Sequence, residues 1–337
     1  MSIVVAVVGA TGVVGREMAS ILAERQPAGM TTVVALASER SSGSQIPFGN
    51  DTLTVSTLDD SSFDGVDYAL FSAGGAIAAQ YAPVAASKGC VVIDNSSYFR
   101  LDPSVPLVVP EVNPDAVHAH TGIIANPNCS TAQLVVVLNP LLKAAGLKRV
   151  SVATYQSVSG AGKSALQELE SQSRSNLNGV TQEPSVFSHP IAFNLIPQID
   201  SFLDNGYTKE EMKVTNETRK ILGCPTLPVA ATAVRVPVFI SHSEAVSIQT
   251  DQPISVTEAR RVLELAPGVV VMDDPSQQVY PTPRALSGKD EVAVGRIRVD
   301  LSQENGLCFW CVGDNLRKGA ALNAVQILEL LLANRHR

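Results

Sequence analysis

Cys129 stands in the run Asn126-Pro127-Asn128-Cys129-Ser130-Thr131, between polar residues and just ahead of the apolar stretch Leu134-Val135-Val136-Val137-Leu138. A thiol placed this way has two uses. Buried, it is a small apolar filler; at the mouth of a helix, the positive end of the dipole lowers its pKa and raises the fraction of nucleophilic thiolate. Position alone leaves both open. His242 follows the apolar run Val236-Pro237-Val238-Phe239-Ile240, where it is either a general acid and base or a satisfied structural histidine at a strand end. Arg235, at the head of the same run, is suited to a bidentate carboxylate pair, or else is a solvated arginine at the start of a strand. Glu217 and Lys220, three apart in a helical stretch, share a face, and the plain reading of that pair is an exposed ion pair worth little.

The other chemistry-bearing groups say less. The five cysteines, at 90, 129, 224, 308 and 311, are odd in number and irregular in spacing, so they predict no disulfide framework. Cys308 and Cys311 form a C-x-x-C inside a strand-like run, where residues three apart point to opposite faces, which argues against a redox or metal pair. His118 and His120 come with no further nearby ligands, and no metal is expected.

The elements that must position these groups begin with a strand, a glycine turn and a helix. Ile3-Val4-Val5-Ala6-Val7-Val8 is a β-branched apolar run, Gly9-Ala10-Thr11-Gly12-Val13-Val14-Gly15 follows, and Arg16 to Leu22 has helical periodicity. Glycines here let the backbone turn and approach a phosphate held at the helix N-terminus. The spacing is G-x-x-G-x-x-G rather than G-x-G-x-x-G, so an ordinary tight βα turn is the alternative to dinucleotide binding. The next strand, Thr32 to Ala37, runs into Ser38-Glu39-Arg40. Ser38 and Arg40 favour NADP, and Glu39 argues the other way. Further strands at Val66 to Phe71, Val91 to Asp94 and Gly122 to Ala125 continue the alternation, the first two followed by Ser72-Ala73-Gly74-Gly75 and by Asn95 to Arg100. Small residues after parallel strands suit a cofactor crevice.

Beyond Cys129 the pattern changes. Strands are expected over 148–158, 229–240, 243–250, 292–300 and 307–313, and helices near 163–176 and 257–265. This is an α+β pattern, with helices covering one face of a largely antiparallel sheet. Residues 178–197 lack periodicity and suit a loop on a partner surface. A chain of 337 residues exceeds the size at which single cores stop growing, which predicts two domains. At 45% apolar and 17% charged it is globular, and a spread net charge of −7 argues against nucleic acid or a polybasic membrane surface. No apolar run reaches the roughly 18 residues of a membrane span, and the first strand begins where a signal peptide would lie. The expected location is the cytoplasm.

Six separated motifs carry a family resemblance: GATGVVG at 9–15, NPNCST at 126–131, TYQSVSGAG at 154–162, ETRKILG at 217–223, RVPVFISH at 235–242 and DNLRKGAALNA at 314–324. Together, in this order and over essentially the whole chain, they resemble aspartate-semialdehyde dehydrogenase. The resemblance implies NADPH-dependent reduction of L-aspartyl 4-phosphate to L-aspartate 4-semialdehyde and phosphate, on the route to lysine, threonine and methionine. It implies Cys129 as the nucleophile that forms a thioester, His242 as acid and base, and Gln156 as the residue orienting the acyl-enzyme. For the substrate it implies Arg235 on the α-carboxylate, Glu217 on the ammonium, Lys220 and Arg100 on the phosphate, and Asn128 nearby. For NADP it implies Gly9, Thr11, Gly12, Val13, Val14, Ser38, Arg40, Ser72, Ala73, Gly74, Ser159, Gly160 and Asn315.

The fold implied is α/β: a Rossmann-type NADP-binding domain, 1–128 with 315–337, and an α+β catalytic and dimerisation domain, 129–314, through which a homodimer forms. N-acetyl-glutamyl-phosphate reductase shares the acyl-phosphate chemistry, but ETRK and RVPVFISH look less like it. Glyceraldehyde-3-phosphate dehydrogenase shares the cysteine and histidine logic with different local motifs. A non-catalytic homologue is disfavoured because Cys129, Gln156, Arg235 and His242 are all present.

Overall fold

The structure, a computed structural model, describes residues 2–334. Among these the chain forms β1 (Ile3–Val8), α1 (Val13–Arg25), β2 (Met30–Ala37), β3 (Gln45–Phe48), β4 (Asp51–Thr57), β5 (Tyr68–Phe71), α2 (Gly75–Ser87), β6 (Val91–Asp94) and β7 (Ile123–Ala125). Then come α3 (Cys129–Ala145), β8 (Arg149–Gln156), α4 (Lys163–Leu177), α5 (Lys209–Leu222), β9 (Val229–Arg235), β10 (His242–Gln249) and α6 (Val256–Glu264). The last are β11 (Val269–Val271), α7 (Pro283–Leu286), β12 (Val292–Val299), β13 (Gly306–Gly313) and α8 (Leu322–Asn334). The chain divides into two compact units, one running to Asn128 and resuming at Ala320, the other Cys129–Gly319. Met1 and residues 335–337, the ends of the expected cofactor domain, lie outside the described residues.

In the first unit the strand order is β3-β4-β2-β1-β5-β6-β7, parallel throughout except for the β3–β4 hairpin at the edge. The order runs outward in one direction from β1 through β2 and in the other through β5, so a crevice opens at the carboxyl ends of β1 and β5. The loops after these two strands carry the predicted glycine turn and Ser72-Ala73-Gly74. Gly9 has φ +82, and a Cβ there would lie 2.7 Å from the Ser72 carbonyl oxygen; one at Gly15 would lie 2.2 Å from that of Gly9. Only glycine fits both places. Leu322, Val325, Ile327, Leu328 and Leu332, in α8 at the far end of the chain, join Val5, Val7, Met18, Leu22 and Leu70 in one buried cluster. The first unit is therefore built from both ends of the sequence.

The second unit has a six-stranded sheet, order β11-β12-β13-β10-β8-β9. The inner pairs are antiparallel, but both edge pairs, β11–β12 and β8–β9, are parallel, so the sheet is mixed rather than largely antiparallel. The predicted strand over 229–240 stops at Arg235, because Pro237 has no N–H for a ladder. Residues 236–241 run on as an irregular, bent connection, in which the Val238 and Phe239 carbonyls accept from Val158 N and Ser159 N. Arg235 therefore ends a strand, and His242 opens the next one, after Ser241 at φ +77. Helix α5 starts on a capping box, in which Thr208 and Glu211 each satisfy the other's backbone N–H, and it stops at Gly223 with φ +67. The aperiodic stretch 178–197 is strapped to α4. Glu168 accepts from Ser185 and Val186 backbone N–H groups, and Gln172 accepts from those of Ile191 and Ala192.

The first unit resumes at Ala320 rather than at 315. The reason is local: Asp314 accepts from Gly288 N and Leu316 N, and Arg317 pairs with Asp290, which holds this segment on the second unit.

Candidate active site

The first residue of α3 is Cys129, so its thiol sits at the positive end of a long helix. Its Sγ lies 3.2 Å from Nε2 of His242. The imidazole is buried, and that burial, with Arg235 next in weight and the Ser241 main chain opposing, pushes its pKa well below the usual range. A neutral ring at pH 7 is a base in waiting. Two glycines keep this corner open. A Cβ at Gly160 would sit 3.1 Å from Arg235 Nη1 and 3.4 Å from His242 Nε2, and one at Gly319 would sit 2.8 Å from Cys129 Cβ.

Arg235 is buried at the end of β9, and its Nη1 donates to the Ser157 carbonyl at 2.7 Å. The Phe187 ring lies 5.7 Å from its guanidinium carbon, a cation–π contact supplied by the strapped loop. Burial lowers the arginine's pKa, and the charges of Cys129 and Glu210 oppose it. A cavity of about 250 Å³ opens beside it, lined by Phe187, Ser188, Gln198, Asp200 and Arg235.

Gln156 ends β8, and its amide donates to Glu210 Oε1 at 3.2 Å. Lys213 in turn donates to Glu210 Oε2 at 3.3 Å and to Asp200 Oδ2 at 2.9 Å. Burial works against the charged lysine, but Glu210 and Asp200 outweigh it and raise its pKa. Neither Glu210 nor Lys213 lies in any of the six motifs. Glu217 and Lys220 lie on the same helix two turns further on, roughly 10 Å along its axis. An E-x-x-K pattern occurs twice in α5, one heptad apart, and only the fold shows that the glutamate of the earlier copy meets Gln156.

Behind the imidazole lies a buried polar network. His242 Nδ1 meets the Ser157 N–H and hydroxyl, each at 3.1 Å, and the Ser157 hydroxyl donates to Asn315 Oδ1 at 3.1 Å. Ser159 Oγ also donates to Asn315 Oδ1 at 3.1 Å. Asn315 Nδ2 in turn donates to Ser159 Oγ at 2.9 Å, which leaves one amide hydrogen for a further group.

In the first unit, Arg100 is buried and donates to the Asn126 and Asn95 carbonyls at 2.8 and 2.9 Å, and Asn128 is buried at the end of the unit. Thr11, Gly12, Val13 and Val14 form the turn into α1, whose N-cap Gly12 has no capping side chain; the N-cap of α2, Gly74, has none either. Ser72 and Ala73 precede that second cap. Both helix starts leave backbone N–H groups for an anion. Ser38 and Arg40 are exposed just past β2.

Residues 4–120 match the family described as semialdehyde dehydrogenase, NAD binding domain, and residues 138–318 that described as semialdehyde dehydrogenase, dimerisation domain. The chain is 52% identical over 335 residues to the aspartate-semialdehyde dehydrogenase of Bacillus subtilis, covering 97% of this chain and 96% of that one. It is 50% identical over 333 residues to aspartate-semialdehyde dehydrogenase 2 of Vibrio cholerae, with 97% of each covered. This chain belongs to the aspartate-semialdehyde dehydrogenase family. The crystal structure of aspartate semialdehyde dehydrogenase II from Vibrio cholerae, complexed with ASA, superposes with a TM-score of 0.96 at 49% identity, covering 99% of both chains.

In this member of the aspartate-semialdehyde dehydrogenase family a second buried layer underlies the first. Gln133 is one turn along α3 from Cys129, and Glu244 is two residues along β10 from His242 on the same face. Cys311 Sγ donates to Glu244 Oε2 at 3.3 Å. Burial, offset in part by Cys311 and Gln133, pushes the Glu244 carboxyl up to about 8, so it is largely protonated at pH 7.

Proposed function

We propose that this protein is an NADP-dependent aspartate-semialdehyde dehydrogenase, reducing L-aspartyl 4-phosphate to L-aspartate 4-semialdehyde and phosphate on the route to lysine, threonine and methionine. The observation that carries this reading is the 3.2 Å approach of Cys129 Sγ to His242 Nε2 at a helix N-terminus, in a chain of this family.

His242 takes the thiol proton, and the thiolate attacks the acyl carbon and expels phosphate, leaving a thioester on Cys129. Covalent capture divides one difficult transfer into two easier steps. NADPH, when bound, supplies the hydride that brings the acyl carbon to the aldehyde level. His242, now carrying a proton on Nε2, donates it to the oxygen of the tetrahedral intermediate or relays it there. Gln156 orients the acyl group by its amide. Arg235, fixed by the Ser157 carbonyl and Phe187, clamps the α-carboxylate. Glu210 takes the place expected of Glu217 on the substrate ammonium, and Lys213 that of Lys220 on the phosphate. The support is the contact of Glu210 with Gln156, that of Lys213 with Glu210, and their position on α5. Arg100 as a phosphate ligand, and Asn128 beside it, rest on the family resemblance.

The first unit fits the cofactor: the crevice between β1 and β5, a glycine turn that admits no Cβ at Gly9, and two uncapped helix starts suit a pyrophosphate. Gly9, Thr11, Gly12, Val13, Val14, Ser72, Ala73 and Gly74 are its ligands in this reading, with Ser38 and Arg40 on the 2′-phosphate. Ser159, Gly160 and Asn315 are assigned to the nicotinamide on the family resemblance.

A homodimer through the second unit is supported by the match to a dimerisation domain and by exposed Phe193, Leu195 and Phe202. No helix among the described residues is long and apolar enough to cross a membrane. We assign the enzyme to the cytoplasm, where thiols stay reduced and a catalytic cysteine survives.

The test is NADPH absorbance while purified protein oxidises aspartate semialdehyde with phosphate and NADP. Wild type gives a phosphate-dependent signal, and folded Cys129→Ala loses it by at least about 10⁴-fold. A folded wild type with no signal, or a Cys129→Ala variant that keeps it, refutes the thioester route.

A further inference from the structure

His242 Nδ1 faces one residue twice. Ser157 presents its backbone N–H at 3.1 Å and its hydroxyl oxygen at 3.1 Å. The N–H can only donate, so it suits a bare Nδ1; the hydroxyl oxygen can accept, so it suits an Nδ1 that carries a proton. Asn315 offers the hydroxyl an acceptor. Its Oδ1 takes the Ser241 N–H at 2.9 Å, a contact that only an oxygen can make, and this fixes the carboxamide's orientation. The Ser157 O–H has that Oδ1 at 3.1 Å and Ser159 Oγ at 3.0 Å to donate to, and either bond leaves an oxygen lone pair for the imidazole.

The choice of proton position matters because Cys129 can hand its proton to Nε2 only if Nε2 is bare. A neutral ring must then hold its own proton on Nδ1. Facing the backbone N–H alone, Nδ1 stays bare, the proton sits on Nε2, and the ring points a donor at sulfur. That tautomer is no base.

We propose that Ser157, oriented by Asn315 and Ser159, is the positioning residue that gives His242 its base-competent tautomer. The inference rests on the roles assigned above to Cys129 and His242. In the step it supports, the S–H bond of Cys129 breaks and an N–H bond forms at Nε2, while the other proton stays on Nδ1, donated to the Ser157 hydroxyl oxygen throughout. Nothing is oxidised or reduced. The Ser241 main chain also favours the protonated ring, so a rival acceptor is at hand and the experiment must separate the two.

The experiment is alkylation of the full-length protein by iodoacetamide across pH, read by mass spectrometry on the Cys129 peptide, for wild type, Ser157→Ala and Ser157→Thr. Melting temperature, kcat and KM are measured alongside. Ser157→Ala, folded, reacts at least about tenfold more slowly at pH 7, as its profile moves up toward that of an ordinary thiol near 8.5. At pH 10 it matches wild type, kcat falls while KM holds, and Ser157→Thr restores the rate. ¹⁵N shifts of His242 in Ser157→Ala report the proton on Nε2. An unchanged profile and unchanged shifts in Ser157→Ala overturn the proposal in favour of the Ser241 carbonyl. So does a folded Ser157→Thr as slow as Ser157→Ala, which assigns the loss to packing, or a wild-type Cys129 that titrates as an ordinary thiol. Alkylation uses no substrate, so a wild type inactive on aspartate semialdehyde refutes the proposed reaction and leaves this result readable.

Discussion

Glu244→Gln replaces a fully buried carboxyl by an amide of the same shape, and it isolates the energetic consequence of burying that acid. The free carboxyl ionises near 4.5, but in the folded chain it holds its proton up to about 8. A group whose folded pKa is raised contributes its full stability below the unfolded value and loses it as pH rises through the folded one. Between these limits the unfolded state ionises freely while the native state cannot, so stability declines across that window and is flat beyond it. The span is roughly 3.5 units, from 4.5 to about 8, and at 1.36 kcal/mol per unit it amounts to about 5 kcal/mol as a ceiling. Glutamine keeps an oxygen for the Cys311 thiol and does not titrate. The melting temperatures of wild type and Glu244→Gln therefore lie close together at pH 4.5 to 5 and diverge toward pH 8, the variant being the more stable. At about 2–4 °C per kcal/mol for a unit of this size, even half the ceiling gives a difference of about 5–10 °C. Scanning calorimetry at pH 5, 6.5, 8 and 9 measures it. A difference that does not change with pH refutes the reasoning, because it removes the premise that Glu244 is neutral when folded.

Substrate assignment within α5 is testable by a paired comparison. Folded Glu210→Gln raises KM for aspartate semialdehyde by about tenfold or more, as expected for a lost charge-assisted contact, whereas Glu217→Gln changes KM little. Steady-state kinetics with a larger KM effect in Glu217→Gln reverses the assignment. Gly9→Ala is strained twice over, by φ +82 and by a Cβ placed 2.7 Å from the Ser72 carbonyl oxygen. It costs at least about 1–3 kcal/mol of stability and weakens NADPH binding measured by fluorescence titration; an alanine variant with unchanged melting and affinity removes the close-approach argument for this turn.

How much of this was legible in the sequence depends on the kind of signal. The strand, turn and helix around Gly9 announce themselves because three glycines, a β-branched run and a helical period agree. The β3–β4 hairpin gives little sign, since of its residues only Ile46 and Val55 are fully buried, with Phe48 and Leu53 half-buried against the core and most of the others exposed. Residues 236–240 read as a strand because an apolar run looks the same whether it lies in a ladder or beside one; Pro237 was the clue. The mixed sheet of the second unit follows from how distant strands pair, which local periodicity does not encode. Cys129, His242 and Arg235 are legible through motif resemblance. Glu210, Lys213 and Ser157 are not, because each owes its interest to a neighbour far away in the chain.

The placement of α8 has a consequence for how the molecule is made. On a ribosome the amino end emerges first, and domains generally fold in that order. Here the second unit, one continuous stretch from Cys129 to Gly319, has all its residues before the first unit has its own, because Leu322 to Leu332 belong to the latter's buried cluster. Until the last turns of the chain are released, β1, β5 and α1 wait with an apolar surface uncovered. The part begun first is the part finished last. A nascent chain stalled near Ala320 would expose that surface, and cellular quality control would meet the future cofactor site as a half-built core.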